Sequence, residues 1–265
     1  MTSETAPLFS VVIVCLNAEA CIGAALDSVI GQSVDDFEIV VVDGASTDGT
    51  LKVVRDRESD SGDRLRWTSE PDTGLYDAMN KGLELARGRY VEYLGADDIL
   101  APGALAAVSR AVGPSGASRT APDIVSGAVR VVGPHGSWDE AAVPLVRRGL
   151  PQRAPTRHQS IFVRTECLRD VGGFDTRYRI AADYDAYLKM YEGGASEALL
   201  ADTLSEFRLG GASSTDAVAT ARDYRDIRIA HGANPAVENV VMWKSALGVW
   251  LHAARMRARS GREDR

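Results

Sequence analysis

The sequence predicts an α/β fold in which a doubly wound, mostly parallel central sheet is flanked by helices. An almost unbroken run of β-branched residues at 9–16 is typical of a strand buried on both faces, as strands of parallel sheets are. Apolar residues then recur at helical spacing until Gly31, and the alternation of strand and helix continues to residue 100. Right-handed crossovers place the loops after such strands at one edge of the sheet, so we expect a ligand crevice there.

Each element rests on its own local pattern. Apolar and β-branched runs that stop at turn residues predict strands at 9–16, 37–42, 65–68 and 90–94. Apolar residues three and four apart predict helices that begin near residues 22, 51 and 75, with glycines ending the first and third. The pattern then loosens, and we predict helices at 102–112, 165–171 and 182–191, strands at 124–132 and 159–163, and mostly helical structure from residue 215.

Composition and charge exclude several classes of function. The 265 residues are 45% hydrophobic, enough for a buried core without disulfides, and the three cysteines lack the paired spacing of a metal site. The net charge of −7 argues against general nucleic-acid binding, and no apolar run approaches the roughly 20 residues of a membrane span. We therefore expect a cytoplasmic protein that is neither exported nor integral to a membrane.

Two adjacent carboxylates follow the fourth predicted strand. Asp97 and Asp98 come just after Gly95, at the end of the strand where ligands of open α/β sheets bind. Neighbouring carboxylates repel each other unless a cation or a group of hydrogen-bond donors lies in front of them. These acids are therefore candidates for a metal site, with capping of the next helix by Asp98 as the alternative.

Seven motifs, in order along the chain, resemble those of one enzyme family. They are Pro7 to Asn17 (PLFSVVIVCLN), Val42 to Thr50 (VDGASTDGT), Asp72 to Gly82 (DTGLYDAMNKG), Gly95 to Asp98 (GADD), His158 to Phe162 (HQSIF), Gly172 to Asp175 (GGFD) and Ala182 to Asp185 (ADYD). They resemble the motifs of family 2 glycosyltransferases, the inverting enzymes with a GT-A fold, in the bacterial branch that builds surface polysaccharides and glycolipids, and the resemblance covers roughly residues 8–211. The resemblance implies a GT-A domain over 1–214, with a nucleotide-sugar half (8–100) and an acceptor and catalytic half (101–214), and a helical extension over 215–265.

The resemblance implies a site for a nucleoside diphosphate sugar, with a UDP-sugar favoured. On the family pattern the residues around the nucleotide and its diphosphate are Asn17, Asp43, Asp72, Gly74, Asp77, Asn80, Lys81 and Arg208. Turn formation or helix capping is the alternative for Asp43, and a solvated helix face is the alternative for Lys81. Most family members have a second acid where this chain has Gly44, which leaves the nucleobase open.

The resemblance also implies Mg²⁺ or Mn²⁺ as the cofactor. Asp97 matches the last acid of the family's Asp-x-Asp metal signature, whereas Gly95 occupies the position of the first. Since the donor diphosphate supplies oxygens of its own, Asp97 together with Asp98 or His158 would suffice to hold the ion. A role as a core histidine is the alternative for His158.

Inversion requires a general base that takes the proton of the attacking acceptor hydroxyl. The resemblance assigns this role to Asp183, which opens a predicted helix, where an acid favoured by the helix dipole is the alternative. Asp185 is expected to orient a neighbour or to bind the acceptor.

The expected reaction is transfer of a sugar to a hydroxyl of a polysaccharide or lipid-linked acceptor. A sugar nucleotidyltransferase is one alternative, although residues 17–20 offer no Gly-rich basic loop for it. The other is a degenerate sugar-nucleotide or glycan-binding module, which the glycines at 44 and 95 would fit.

Two segments near the C-terminus carry further expectations. Residues 206–213 contain a Gly-Gly pair beside Arg208 and form either a lid over the diphosphate or an ordinary connector. An apolar stripe in residues 240–254, followed by five arginines, fits a peripheral contact with an anionic membrane, a second subunit in a homodimer, or the catalytic domain.

Overall fold

The computed structural model describes residues 6–113, 121–134, 136–144, 156–210 and 217–242. Its first hundred residues alternate strand and helix as predicted. The elements are β1 (Phe9–Cys15), α1 (Ile22–Ile30), β2 (Phe37–Asp43), α2 (Thr50–Ser61), β3 (Leu65–Ser69), α3 (Leu75–Leu85) and β4 (Tyr90–Gly95), with a 3₁₀ turn at Gly62–Arg64.

The second half is less regular. Its elements are β5 (Ile99–Leu100), α4 (Ala104–Val112), β6 (Ile124–Gly133), β7 (Gly136–Glu140), β8 (Ile161–Arg164), α5 (Thr165–Asp170), α6 (Ala182–Glu192), β9 (Glu197–Arg208) and α7 (Ala217–Ala230). A 3₁₀ turn at His158–Ser160 precedes β8, and residues 235–242 are helical.

All nine strands of the described ranges belong to one sheet. Its order is β3-β2-β1-β4-β8-β6-β9-β5, and β7 pairs with β6. The four strands from β3 to β4 are mutually parallel, whereas β8 pairs antiparallel with both β4 and β6. The α/β fold class with a mostly parallel central sheet is therefore confirmed.

The core lies on both faces of the parallel strands, which explains their apolar runs. β2 is buried along its whole length, and alternate residues of β1 contribute to two separate apolar clusters. One cluster lies between the sheet and the helices α1 and α4, and the other lies under α3 and α6. The loops after β1, β2 and β4 are consequently held by rigid strands.

Three strands of the second half, β5, β7 and β9, were not predicted. Only Leu204, Ser205 and Phe207 of the twelve residues of β9 are buried, so this strand has no continuous apolar pattern. It forms because β6 supplies a long parallel partner with an irregular register. The strand predicted at 159–163 begins later, at Ile161, because the 3₁₀ turn occupies His158–Ser160.

The start of the C-terminal extension packs on α6. Tyr184 and Leu188 of α6 form a small apolar cluster with Ile227 of α7, and the rings of Tyr184 and Tyr224 lie 5.2 Å apart. The division into domains at residue 214 stays a prediction. Across the described residues, the helices are too short or too polar to cross a bilayer.

Candidate active site

A cavity of about 300 Å³ opens at the carboxyl ends of β1 and β4. Its polar lining brings together Asn17 from the loop after β1, Asp97 and Asp98 from the turn after β4, and His158 and Gln159 from the 3₁₀ turn before β8. The exposed apolar side chains of Leu16 and Leu75 also line it. Asn17 and His158, 141 positions apart in the chain, thus share one crevice at the sheet edge where the topology predicts it.

The loops after β1 and β2 hold each other through polar contacts. The backbone N–H of Asn17, a residue with φ of +51°, donates to Ser46 Oγ (2.7 Å), and its side-chain Oδ1 accepts from the Thr47 N–H (2.9 Å). Asp43 is fully buried, and its Oδ2 accepts from the Ser46 N–H (2.9 Å) and the Ser69 hydroxyl (2.7 Å). Asp43 therefore ties the ends of β2 and β3 to the loop between them, and its contact with a nucleobase stays a prediction.

Gly44 leaves room for a carboxylate from another loop. A Cβ atom at Gly44 would lie 2.5 Å from Asp72 Oδ2. The other oxygen of Asp72 accepts from the N–H of Gly74 (2.9 Å), whose φ of +139° disfavours any side chain. The family's acid at position 44 is absent, but the Asp72 carboxylate occupies the adjoining space.

Two predicted donor-site residues on α3 stabilise the loop that leads into that helix. Asp77 Oδ2 accepts from the Thr73 N–H (2.8 Å), and this hydrogen bond lowers the pKa of Asp77. Lys81 Nζ lies 3.0 Å from Glu70 Oε1 and donates to the Pro71 carbonyl (2.8 Å). Both side chains are engaged with the protein, so their contact with a diphosphate stays a prediction.

Asn80 joins α3 to the Gly-Gly-Phe-Asp segment. Its side-chain amide donates to the Phe174 carbonyl (2.8 Å), and its Oδ1 accepts from the Phe174 N–H (2.9 Å). A Cβ at Gly173, where φ is +70°, would lie 2.6 Å from Asn80 Oδ1. This pairing explains why a polar residue and a glycine face each other here, and it gives Asn80 a partner other than the predicted nucleotide.

The two acids after β4 differ in environment. Asp98 is 1% exposed, and burial raises its pKa to about 6, although the Arg208 N–H donates to its Oδ1 (3.0 Å). Asp97 is half-exposed at the cavity. A Cβ at Gly95 would lie 2.5 Å from Asp98 Oδ2 and 3.1 Å from Asp97 Oδ1, so both carboxylates lie close to the position of the missing acid.

These two carboxylates fit a hard divalent cation. Mg²⁺ and Mn²⁺ prefer oxygen ligands, and Mg²⁺ is commonly held by one or two carboxylates together with substrate phosphates. No cluster of three or more acidic, histidine or cysteine side chains able to hold a metal occurs in the described ranges. The protein would therefore supply Asp97 and Asp98, and the remaining positions would fall to the substrate.

Asp183 lies in the first turn of α6 and is nearly buried. The Tyr76 hydroxyl donates to its Oδ1 (2.9 Å), and His158 Nδ1 lies 3.4 Å from its Oδ2. Burial raises the pKa of Tyr76 well above 10, so this phenol is a neutral donor. Because His158 also lines the cavity, it connects the Asp183 carboxylate with that space.

Sequence reasoning missed Tyr76, although the residue stands inside the Asp-x-Gly-x-Tyr motif. Its hydroxyl also contacts the Ile180 carbonyl (2.7 Å), and the Ile180 N–H donates to Asp223 Oδ2 on α7 (2.7 Å). α3, the segment before α6 and the C-terminal extension therefore meet at the candidate base.

Asp185 has a different environment from Asp183. Its carboxylate contacts His231 Nε2 (3.1 Å) and Lys189 Nζ (2.7 Å), and His231 Nδ1 lies 2.8 Å from Glu192. Neither Asp183 nor Asp185 is among the residues that line the cavity. The sequence left two roles open for Asp185, orienting a neighbour or binding the acceptor. Its contact with His231, the residue that follows α7, supports the first of these roles.

Two predicted features fall partly or wholly outside the described residues. Arg208 is exposed at the end of β9, but residues 211–213 of the predicted lid are outside the described ranges. The same holds for residues 243–254 of the apolar stripe, of which Val240 is described and exposed.

Comparison with known proteins identifies the family of the chain and the type of its fold. The family model described as Glycosyl transferase family 2 matches residues 10–168. Over 191 residues the chain is 38% identical to a PGL/p-HBAD biosynthesis glycosyltransferase of Mycobacterium tuberculosis, and the match covers 72% of each protein.

Two solved structures are similar in fold. TarS of S. aureus, in complex with UDP-GlcNAc, is matched with a TM-score of 0.66 at 20% identity over 90% of this chain and 71% of that chain. A longer TarS chain is covered to 41%. The mannosyltransferase PcManGT from Pyrobaculum calidifontis, in complex with GDP-Man and Mn²⁺, is matched with a TM-score of 0.67 at 21% identity over 94% of this chain and 75% of that chain. At these identities the likeness shows the fold, which is the GT-A type.

Proposed function

Because the chain belongs to glycosyl transferase family 2, we propose that it is an inverting enzyme that transfers a sugar from a nucleoside diphosphate sugar to a hydroxyl of a glycolipid or polysaccharide precursor. One observation carries this proposal. A nearly buried carboxylate, Asp183, is held by Tyr76 and His158 beside a cavity that contains the acids Asp97 and Asp98.

Asp183 is proposed as the general base. A base must be held in one geometry to take a proton from the acceptor hydroxyl as it attacks the anomeric carbon. The Tyr76 hydroxyl and the His158 ring contact different oxygens of Asp183, which restricts rotation of its carboxylate. Tyr76 is a positioning residue in this mechanism, since its hydroxyl contacts Asp183 and the Ile180 carbonyl.

Asp97 and Asp98 are proposed to hold Mg²⁺ or Mn²⁺. A bound divalent cation would offset negative charge on the departing diphosphate. The geometry supports this assignment, because a Cβ at Gly95 would lie 2.5 Å from Asp98 Oδ2 and 3.1 Å from Asp97 Oδ1, so the two carboxylates lie close together at the cavity. His158, the other predicted ligand, has its Nδ1 toward Asp183, so we assign it to the base in preference to the metal.

The names of the similar proteins support the substrate classes. TarS was solved with UDP-GlcNAc and PcManGT with GDP-Man and Mn²⁺, and the mycobacterial relative is named for PGL/p-HBAD biosynthesis. We propose a hexosyl donor, with a UDP-sugar favoured, and a lipid-linked or polysaccharide acceptor. The enzyme would then work in the cytoplasm, peripherally on the membrane, with the C-terminal stripe as the contact or as the interface of a homodimer.

Thermal stabilisation tests donor and metal together. UDP and GDP are added to the full chain with and without Mn²⁺, and a ligand at 100 times its Kd is expected to stabilise the fold by about 2.7 kcal/mol. We expect UDP to raise the Tm, Mn²⁺ to add a further increment, and Asp97→Ala to lose that increment. Asp63→Ala, at an exposed acid of the 62–64 turn, is the matched control. Absence of any shift with either nucleotide would overturn the donor assignment.

A further inference from the structure

An exposed tryptophan lies on the same face of the sheet as the candidate active site. Trp138 of β7 is 47% exposed and pairs with Val131 of β6, which in turn pairs with Phe207 of β9. Paired residues of neighbouring strands point to the same face, so the three side chains form a row. Phe207, at the inner end of this row, lines the cavity.

Polar contacts connect the tryptophan to the cavity as well. The Trp138 indole N–H donates to Glu140 Oε1 (3.2 Å), and Arg157 binds both oxygens of Glu140 through its Nε and Nη2 (3.0 and 3.2 Å). The Arg157 guanidinium lies 4.4 Å from the centre of the Phe207 ring. Arg157 directly precedes His158 in the chain, so these contacts end next to a residue that lines the cavity and contacts Asp183.

A glycine lets the tryptophan and a leucine pack across the strand. A Cβ at Gly133 would lie 3.2 Å from Leu209 Cδ1 and 3.5 Å from Trp138 Cζ3, so both side chains reach over the glycine. Leu209 is 42% exposed. Two exposed apolar side chains therefore lie side by side over Gly133, and an exposed apolar patch of this kind is typical of a binding surface.

The chemistry of this surface fits a sugar ring. A pyranose offers an apolar C–H face that stacks on an indole and hydroxyl groups that hydrogen-bond to carboxylates and guanidinium groups, and Glu140 and Arg157 supply both beside Trp138. An anionic lipid surface fits less well, because it attracts clusters of basic residues, whereas Arg157, the arginine of this surface within the described residues, is paired with Glu140.

The distance from the cavity sets the length of the ligand. Trp138 lies two strand spacings, about 10 Å, from Phe207. This separation is too long for one sugar to fill the cavity and also cover the indole, and two linked sugars span it.

We propose that the acceptor is an oligosaccharide whose terminal sugar enters the cavity while its next sugar stacks on the Trp138 indole. The inference rests on the proposed function and specifies the acceptor of the same site. Trp138 is then a specificity-determining residue that selects acceptors of two or more sugars.

Binding of defined saccharides to the full chain tests the proposal. The probes are maltose, cellobiose, lactose and chitobiose, each compared with its monosaccharides by titration calorimetry in the presence of UDP and Mn²⁺. We expect at least one disaccharide to bind more tightly than its monosaccharides, and Trp138→Ala to weaken that disaccharide about tenfold, the loss of one stacking contact. Trp138→Phe is expected to retain most of the affinity.

The control is Tyr191→Ala, because Tyr191 on α6 is also 47% exposed but lies outside the proposed surface. If Trp138→Ala fails to fold, Trp138→Gln replaces it, since a glutamine amide still donates to Glu140 but cannot stack. Unchanged disaccharide affinity in the folded variant, or no disaccharide binding by the wild-type chain, would overturn the proposal. UDP binding does not involve Trp138. If UDP stabilises the wild-type chain while disaccharides fail to bind, the donor assignment stands and the acceptor proposal alone is overturned.

Discussion

The two halves of the sheet hold their polar site residues in different ways. Within the parallel half, partners are closer in the chain: Asp72 accepts from the Gly74 N–H, two residues away, and Asn17 Oδ1 accepts from the Thr47 N–H, 30 residues away. Near the catalytic half, partners are remote. Asp183 contacts Tyr76 across 107 residues, and the Arg208 N–H reaches the Asp98 carboxylate across 110.

This difference separates two kinds of sensitivity to mutation. Local turns form wherever their few residues adopt the right backbone, so a change in one loop on the donor side perturbs that loop and the loops that contact it directly. The geometry of Asp183 depends on α3, α6 and α7 packing correctly at the same time. Substitutions on the catalytic side should therefore change turnover and stability together, while those on the donor side should stay local.

The largest effect is expected from Asp183→Asn. Loss of the proposed base should lower turnover by on the order of 10²-fold or more and leave UDP affinity unchanged, because the substitution keeps the size of the side chain. Turnover of a donor sugar and nucleotide titration measure the two quantities. Asp226→Asn, at an acid that pairs with its neighbour Arg225 on α7, is the control. Turnover near that of the wild type would remove Asp183 from the mechanism.

Tyr76→Phe tests whether contacts between segments far apart in the chain stabilise the catalytic side and position Asp183. It removes the donor shared by Ile180 and Asp183, so the free energy of unfolding should fall by about 1–3 kcal/mol, and turnover should fall with it. Denaturant unfolding and kinetics measure these changes. Tyr93→Phe is the stability control: both rings pack on Phe174, but the Tyr93 hydroxyl has no hydrogen-bond partner within the described part of the chain. Equal stability of the two variants would contradict the comparison.

Glu92→Gln examines a polar group inside a strand of the parallel half. Glu92 of β4 is fully buried, its oxygens lack hydrogen-bond partners in the ranges described, and burial raises its pKa well above 4.5. The folded state therefore keeps a proton that the unfolded state releases above about pH 4.5. The free energy of unfolding should fall as pH rises from there, by up to about 1.4 kcal/mol per unit, until the pH passes the folded-state pKa.

Unfolding of wild type and Glu92→Gln across a pH series measures this slope, and the variant should lack the Glu92 contribution. Glu38 of β2 is the contrasting case. Burial would raise its pKa, but hydrogen bonds from Ser10, the Arg87 N–H and Arg66 lower it overall, so its contribution is lost as pH falls. Parallel pH profiles for wild type and Glu92→Gln would show that Glu92 ionises normally.

The smallest effect is expected from Gly44→Ala. The new Cβ should displace the flexible Asp72 carboxylate from its contact with the Gly74 N–H, at a cost of about 1 kcal/mol. A double-mutant cycle with Asp72→Ala measures the coupling, since the cost should vanish when Asp72 is absent. Additive effects would mean that Asp72 does not occupy the space beside Gly44.

Sequence reasoning recovered most of the parallel half because its signals are local. The β-branched runs of β1 and β2 and the apolar spacing of α1 and α3 were sufficient to predict strand, helix and the edge of the crevice. The second half was harder. Nine of the twelve residues of β9 are half-exposed or exposed and follow no regular period, so only its pairing with β6 makes it a strand.

The same division holds for the site. The sequence by itself determined that acids stand at the ends of β2 and β4 and at the start of α6, because strand ends and helix starts are encoded by neighbouring residues. Only the tertiary structure decided that Tyr76 and His158 contact Asp183 and that Asp72 and Asp98 lie beside the glycines at 44 and 95. It also decided that Trp138 lies in one row with Val131 and Phe207, the last of which lines the cavity. Except for the approach of Asp98 to Gly95 and the pairing of Trp138 with Val131, these contacts join segments far apart in the chain, and long-range packing leaves no periodic pattern in a single sequence.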